Sequence, residues 1–293
     1  METSQPLDHS RIWREQRYIY PVASRRARGI SIGVNLNLDK ICNFGCVYCE
    51  VNRGILPTNR DVDVEALAAE LQTTLAWAED GRLARDDRFA GLTAPDAVPL
   101  PIRDIAFSGD GEPTSFRNFD QVVERVIGMR NASTLPDLKI VVITNATLFH
   151  QPRVRAALAA VHAAGGEVWA KLDVGTAAYF RAVDATTIAY RRILDNLLLL
   201  GQQQPIVIQS CFMRLHGQGP DAAEISAYCE RLVALQKEGA RLARVQIYSV
   251  SRPPAESYVT TLPPAALEAI RVQVAAALPG VAVEGFDGGW EGA

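Results

Sequence analysis

ISIGVNLNLDKICNFGCVYCE, residues 30–50, joins a β-branched run directly to three closely spaced cysteines. Its first part reads as a strand, and the Gly45-bearing stretch after it reads as a loop at that strand's end. The same unit then recurs without its cysteines. Apolar runs follow at RDIAFSG (103–109), KIVVITN (139–145), EVWAKLDV (167–174), PIVIQSCFM (205–213) and ARVQIYSV (243–250). Stretches with apolar residues at helical spacing alternate with them at 64–80, 119–130, 152–165, 190–201, 221–236 and 263–278. Strands that lack strict period-two alternation and alternate with amphipathic helices predict a buried parallel sheet of the α/β class. Six such units close into a barrel or partial barrel, or lie as a doubly wound open sheet; periodicity does not separate the two. In either case the active site is expected where strands end and loops begin.

The 293 residues, 48% hydrophobic and 22% charged, describe an ordinary globular chain. No apolar run reaches the roughly 20 residues that span a bilayer. The opening METSQPLDHSRIWREQRYIYP has no signal-type apolar segment, so a cytoplasmic address and no membrane partner are expected. Net charge is −3, which gives no global pull toward nucleic acid. Residues 1–29 nevertheless form a basic extension, with Arg11, Arg14, Arg17, Arg25, Arg26 and Arg28 against Glu2, Asp8 and Glu15. That run reads either as a solvated arm or as a patch for phosphates. Residues 30–293 are expected to be a single domain, with 81–101 an exposed connector or lid. Phe286 and Trp290 in the last stretch either cap the barrel or fray.

Cys42, Cys46 and Cys49 are spaced CxxxCxxC, whereas Cys211 and Cys229 have no neighbour at metal-ligand spacing. Three thiolates so close can hold one face of an iron–sulfur cube and leave one iron open. A structural zinc would need a fourth ligand from far along the chain. Unliganded structural cysteines would lie on apolar faces and not in a glycine-bearing loop.

At the other strand ends stand Gly109, Asp110, Gly111 and Glu112 in FSGDGEPTSFRNF (107–119), then Thr144 and Asn145, then Lys171 and Asp173. Gln209 and Ser210 follow, and then Gln246, Tyr248 and Ser249. The glycines read as a ligand-contacting turn or as a plain turn before a helix. Lys171 and Asp173, at i and i+2, point the same way and form either a buried ion pair or an anion and hydroxyl site. The later residues either line a ligand space or hydrogen-bond between strands.

CxxxCxxC with Tyr48 before the last cysteine resembles the radical S-adenosylmethionine (SAM) signature. PVASRRARGISIGVNLNLDKICNFGCVYCE, SGDGEPT, ITN, KLDVG and QIYSVSRPPAE, in that order, resemble the branch that includes the tRNA-wyosine synthases. The resemblance implies a partial (β/α)6 TIM-like barrel of the radical SAM type. It implies a [4Fe–4S] cluster on Cys42, Cys46 and Cys49 whose open iron chelates SAM, cleaved reductively to a 5′-deoxyadenosyl radical that abstracts hydrogen from substrate. It further implies that Tyr48, Gly109, Asp110, Gly111, Glu112, Thr144, Asn145, Lys171, Asp173, Gln209, Gln246 and Tyr248 surround the cofactor. Gly109 to Glu112 resemble the family's glycine–glycine–glutamate motif for the SAM amino group, with Asp110 where its first glycine is usual. A reductant such as flavodoxin or ferredoxin is implied as a partner. RNA is the first substrate class expected, met by Arg25 and Arg26. Peptide modification, or a non-enzymatic electron-transfer or sensing role, are the alternatives. The cysteines that a second cluster would need are missing.

Overall fold

The structure is a computed structural model that describes residues 13–51, 62–89, 92, 98–252, 254 and 256–287. Its strands fall where the β-branched runs lie: β2 Gly29–Val34, β3 Ile102–Phe107, β4 Lys139–Thr144, β5 Glu167–Lys171, β6 Ile206–Leu215 and β7 Leu242–Ser249. Each pairs in parallel with the next, and β9, Ala282–Phe286, adds a further parallel strand beside β7. With β1, Ile19–Ser24, at the other edge, the spatial order β1-β2-β3-β4-β5-β6-β7-β9 never reverses. A doubly wound sheet needs a reversal, so the open-sheet alternative is excluded and the sheet curls into a half-barrel.

The intervening helices are α1 Val64–Glu79, α2 Phe119–Ala132, α3 Pro152–Ala163, α5 Tyr190–Gln203, α6 Ala222–Lys237 and α7 Pro264–Ala277. The apolar stripe of α1 buries Leu67, Leu71 and Leu75. Asp63 caps that helix by accepting from the Ala66 backbone. None of these helices is long and apolar enough to cross a membrane.

Among the described residues, three strands and one α-helix lie outside the periodic reading. The run 19–24, placed by sequence in the basic extension, forms β1 (Ile19–Ser24), antiparallel to β2. Its entry is fixed by Glu70 of α1, whose carboxylate accepts from the backbone N–H groups of Arg17, Tyr18 and Ile19. Two more are β9 and the short β8, Val259–Thr261, which pairs with the far end of β6. The fourth, α4 (Ala177–Val183), is too short to display a 3.6-residue period. Of the 81–101 stretch, Leu83 and Phe89 are buried and Arg88 donates to the Pro21 carbonyl at 3.0 Å, while 90, 91 and 93–97 lie outside the described residues. Phe286 ends β9; Trp290 also lies outside the described residues.

Candidate functional site

The run ISIGVNLNL is expected to be strand throughout, yet β2 stops at Val34. Asn35 ends it. Its Oδ1 accepts from the backbone of Asn37 at 3.1 Å and of Asp110 at 3.1 Å, and its Nδ2 donates to Asp110 Oδ2 at 2.9 Å. An asparagine that satisfies neighbouring backbone this way competes with the strand ladder. The chain then turns into the cysteine loop, which is fastened on two sides. Gly45 and Val47 donate to the carbonyls of Asp184 and Val183, at 3.1 and 2.9 Å, while Phe44 packs edge-on against Phe180. On the other side Asn43 donates to Thr147 Oγ1 at 2.8 Å and accepts from Asn145 Nδ2 at 2.6 Å.

Cys42, Cys46 and Cys49 are unbridged and partly exposed, and all three line one cavity of about 820 Å³. Among the described residues no three His, Cys, Asp or Glu side chains gather at a point that one metal ion would take. In a four-iron cube each thiolate bonds its own iron, so its ligands need not share one point. The donor set of three thiols on one loop at a cavity wall therefore fits a cube with one open iron. Burial, with Asp184 and Asp173 adding, pushes the Cys46 thiol well up, and its Sγ lies 3.6 Å from Asp184 Oδ1. A bound cation reverses such a shift, because coordination deprotonates the thiol.

The turn after β3 packs against this loop, which its glycines allow. A side chain on Gly111 would stand 2.6 Å from Asn37 Nδ2, and one on Gly109 would meet Asn35 Cγ at 2.9 Å. Glu112 is buried, and its carboxylate is hydrogen-bonded within the protein. Oε1 accepts from Thr144 Oγ1 at 2.6 Å and from both the hydroxyl and the backbone of Thr114; Oε2 accepts from the Asn145 backbone at 2.7 Å. Burial pushes the Glu112 carboxyl up, against these hydrogen bonds. The ends of β2, β3 and β4 are thus joined into one polar framework.

Across the cavity, Lys171 pairs with Asp173 at 3.1 Å and donates to Tyr248 Oη. Its ammonium lies 4.8 Å from the ring centroids of both Tyr48 and Tyr248. Burial works against that charge, but Asp173 and then Tyr248 outweigh it and hold the ammonium above its ordinary value. Asp173 also accepts from Tyr48 Oη and from the Cys211 backbone, each at 2.6 Å. Through Tyr48 the cysteine loop is therefore tied to β5 and β6. Burial pushes Cys211, which lines the same wall, up to about 12.

Of the residues singled out from sequence, Tyr48, Gly109, Gly111, Glu112, Thr144, Asn145, Lys171, Gln209 and Tyr248 line the cavity beside the three cysteines. Asp110, Asp173 and Gln246 do not line it: Asp173 bonds Tyr48 and Gln246 bonds Gln209, both of which do, while Asp110 bonds Asn35, which does not. Arg25 and Arg26 also line it, and the Arg26 guanidinium lies 4.5 Å from the Tyr248 ring centroid. Burial, then Arg26, lowers the Arg25 pKa. Sequence reasoning missed Asn35, Asn37 and Asn43, although period-two counting from Ser31 places 33, 35 and 37 on one face. It also missed Asp184, for which the local sequence carries no signal.

No family model matches the chain. It is 24% identical to a UPF0026 protein of Helicobacter pylori over 80% of its own length and 66% of the relative's. UPF0026 proteins of Synechocystis and Methanocaldococcus jannaschii are each 30% identical, over 47% and 46% of this chain and 42% and 35% of theirs. The chain thus spans less than two thirds of each of these relatives. Its fold matches a solved structure of TYW1 with a lysine–pyruvate adduct bound, with a TM-score of 0.52 over 85% of this chain and 74% of that one. At 16% identity this likeness is one of fold. The chain is therefore similar in sequence to the UPF0026 proteins and in fold to TYW1, which agrees with the branch resemblance read from its motifs.

Proposed function

We propose that the chain is a radical SAM enzyme. The observation that carries this reading is the loop of three unbridged cysteines on the wall of a large cavity at the strand ends. Cys42, Cys46 and Cys49 would hold a [4Fe–4S] cluster. With SAM bound, that group supplies reductive cleavage and a carbon radical able to take a hydrogen atom from substrate.

The chain's own residues position and exclude. Asn43, Asn145 and Thr147 fix the cysteine loop against β4, while Asp173 fixes it through Tyr48. Lys171, already charge-balanced by Asp173, faces the cavity as the cation for a SAM carboxylate. The turn at Gly109 and Gly111 lets backbone approach the amino end, and Glu112 sets the shape of that turn from beneath. Burial of the wall keeps water from a reactive intermediate. RNA is the proposed substrate class, with Arg25 and Arg26 on the cavity wall as its phosphate contacts.

Electron paramagnetic resonance tests the reading on protein purified without oxygen, reduced with dithionite, and recorded with and without SAM. A [4Fe–4S]⁺ signal whose shape changes with SAM is expected. A signal indifferent to SAM would move the chain to electron transfer or sensing. RNA binding is expected to weaken steeply along a salt series; no affinity at low salt removes RNA.

A further inference from the structure

Part of the cavity lies deeper than the strand ends and is lined by Ser31, Asp104, Ala106, Ile143, Trp169 and Gln209. Two acceptors in this floor are under-partnered. Asp104 is 4% exposed, and among the described residues its hydrogen-bond donor is Ser31 Oγ alone. Gln209 is fully buried; its Nε2 donates to Gln246 Oε1 at 2.9 Å, and its Oε1 has no partner among the described residues.

The orientation of that amide follows from its neighbours. Arg244 Nε lies 3.5 Å from Glu284 Oε2, and a carboxylate of that kind only accepts. Gln246 must therefore present Nε2 to Glu284, which it does at 3.3 Å, and turn its Oε1 to Gln209. Gln209 must then donate with Nε2, so its carbonyl oxygen is turned away from the relay. A ligand meeting this residue has to bring a donor.

Buried acceptors without donors destabilise a fold, and on a cavity wall a ligand that brings donors offsets that cost. The charges of the other wall do not complete it. Lys171 gives two of its N–H groups to Asp173 and Tyr248, and the third is the one proposed above for a SAM carboxylate. Arg26 stacks on the Tyr248 ring and makes no ion pair to Asp104 among the described residues.

We propose that the cavity floor at Asp104 and Gln209 is a recognition subsite for the N–H-rich, cationic head of a ligand, an amidinium or guanidinium type. Asp104 takes the charge and Gln209 Oε1 takes a further N–H. Arg25 and Arg26 suit an anionic group at the ligand's outer end. Asp104 lies outside the residues assigned to the cofactor, whereas Gln209 is among those the family resemblance sets around it, so Asp104 is the position that separates this proposal from the cofactor reading.

The test is isothermal titration of the full chain, cluster intact and SAM omitted, with 4-guanidinobutyrate and with hexanoate as an anion of similar length. The guanidino acid is expected to bind at least roughly tenfold more tightly than hexanoate. Asp104→Asn is expected to remove most of that preference, and Gln209→Leu to weaken guanidino binding by a few fold. Equal affinities, no binding of the guanidino acid at millimolar concentration, or an Asp104→Asn variant that binds as the parent does would each overturn the proposal. Circular dichroism confirms that the variants fold. The SAM-dependent resonance change should persist in Asp104→Asn, so the two readings fail separately.

Discussion

The rim and the floor of the cavity are built on opposite terms. At the rim, polar groups answer one another: Asp173 accepts from Tyr48, Lys171 and the Cys211 backbone, and Glu112 from Thr114, Thr144 and Asn145. In the floor, Asp104 and Gln209 Oε1 are buried with fewer donors than they can use. Burying a polar group that is satisfied holds a geometry, whereas burying one that is not stores a demand. The difference teaches that the rim is made to position and the floor to receive.

Substitutions can break that contrast. The largest effect is expected for Asp173→Ala, which leaves the buried Lys171 charge, the Tyr48 hydroxyl and the Cys211 N–H without their acceptor. A loss of about 3–5 kcal/mol in urea denaturation is expected; a loss within experimental error would mean that the rim network is ornamental. Asp104→Asn should act the other way. Burial pushes the Asp104 carboxyl from 3.8 up to about 6, with the Ser31 hydrogen bond and Arg26 opposing it. The folded chain therefore holds that proton more tightly than the unfolded one. The associated stability is complete below about pH 4 and is lost as pH rises through about 6. At about 1.4 kcal/mol per unit this amounts to about 3 kcal/mol. The Asn variant should lack that decline and be more stable than the parent at pH 7, as paired melts at pH 4 and 7 would show.

Glu167 sharpens the comparison as a nearby carboxylate with the reverse sign. Burial raises its pKa, but Arg244, Trp169 and Lys139 outweigh that and lower it to about 2. Its contribution is present above the unfolded value of 4.5 and is lost as pH falls toward about 2, a fall expected to vanish in Glu167→Gln. Glu112→Gln is a smaller rim test. Its new amide would set a donor against the Asn145 or Thr114 N–H, at an expected cost of about 1–3 kcal/mol. The smallest effect belongs to Gln209→Leu. It removes an orphaned carbonyl but also the Nε2 donor of the buried Gln246 Oε1, so the two terms oppose and a net loss of no more than about 1–2 kcal/mol is expected in urea denaturation. A loss well above that would show that the floor is held together as the rim is.

The sequence made the parallel strands legible because the β-branched runs are buried on both faces, and the helices legible because their stripes are long. β1 was hidden by its composition. IYPVAS carries a proline, which is tolerated only because this strand lies at the sheet edge. The three cysteines announce themselves through spacing, and Lys171 and Asp173 through their shared face. Asp184 does not, since its place beside Cys46 depends on α4 folding back across 138 residues of chain. The paucity of donors at Asp104 and Gln209 was equally invisible, because a missing partner exists only in three dimensions.

The hairpin between β1 and β2 has one more consequence. The strand path begins at β1 and ends at β9, and those two edges do not pair. What crosses from one side to the other is side chain: Arg28 reaches Glu284 at 3.7 Å, and Arg26 lies over Tyr248. A barrel laced by backbone hydrogen bonds can be entered only along its axis. Among the described residues this seam is closed by side chains and not by rungs of the sheet, and exposed charge pairs of this kind loosen as ionic strength rises. Closure on this side of the wall therefore depends on salt, as closure by a backbone ladder would not.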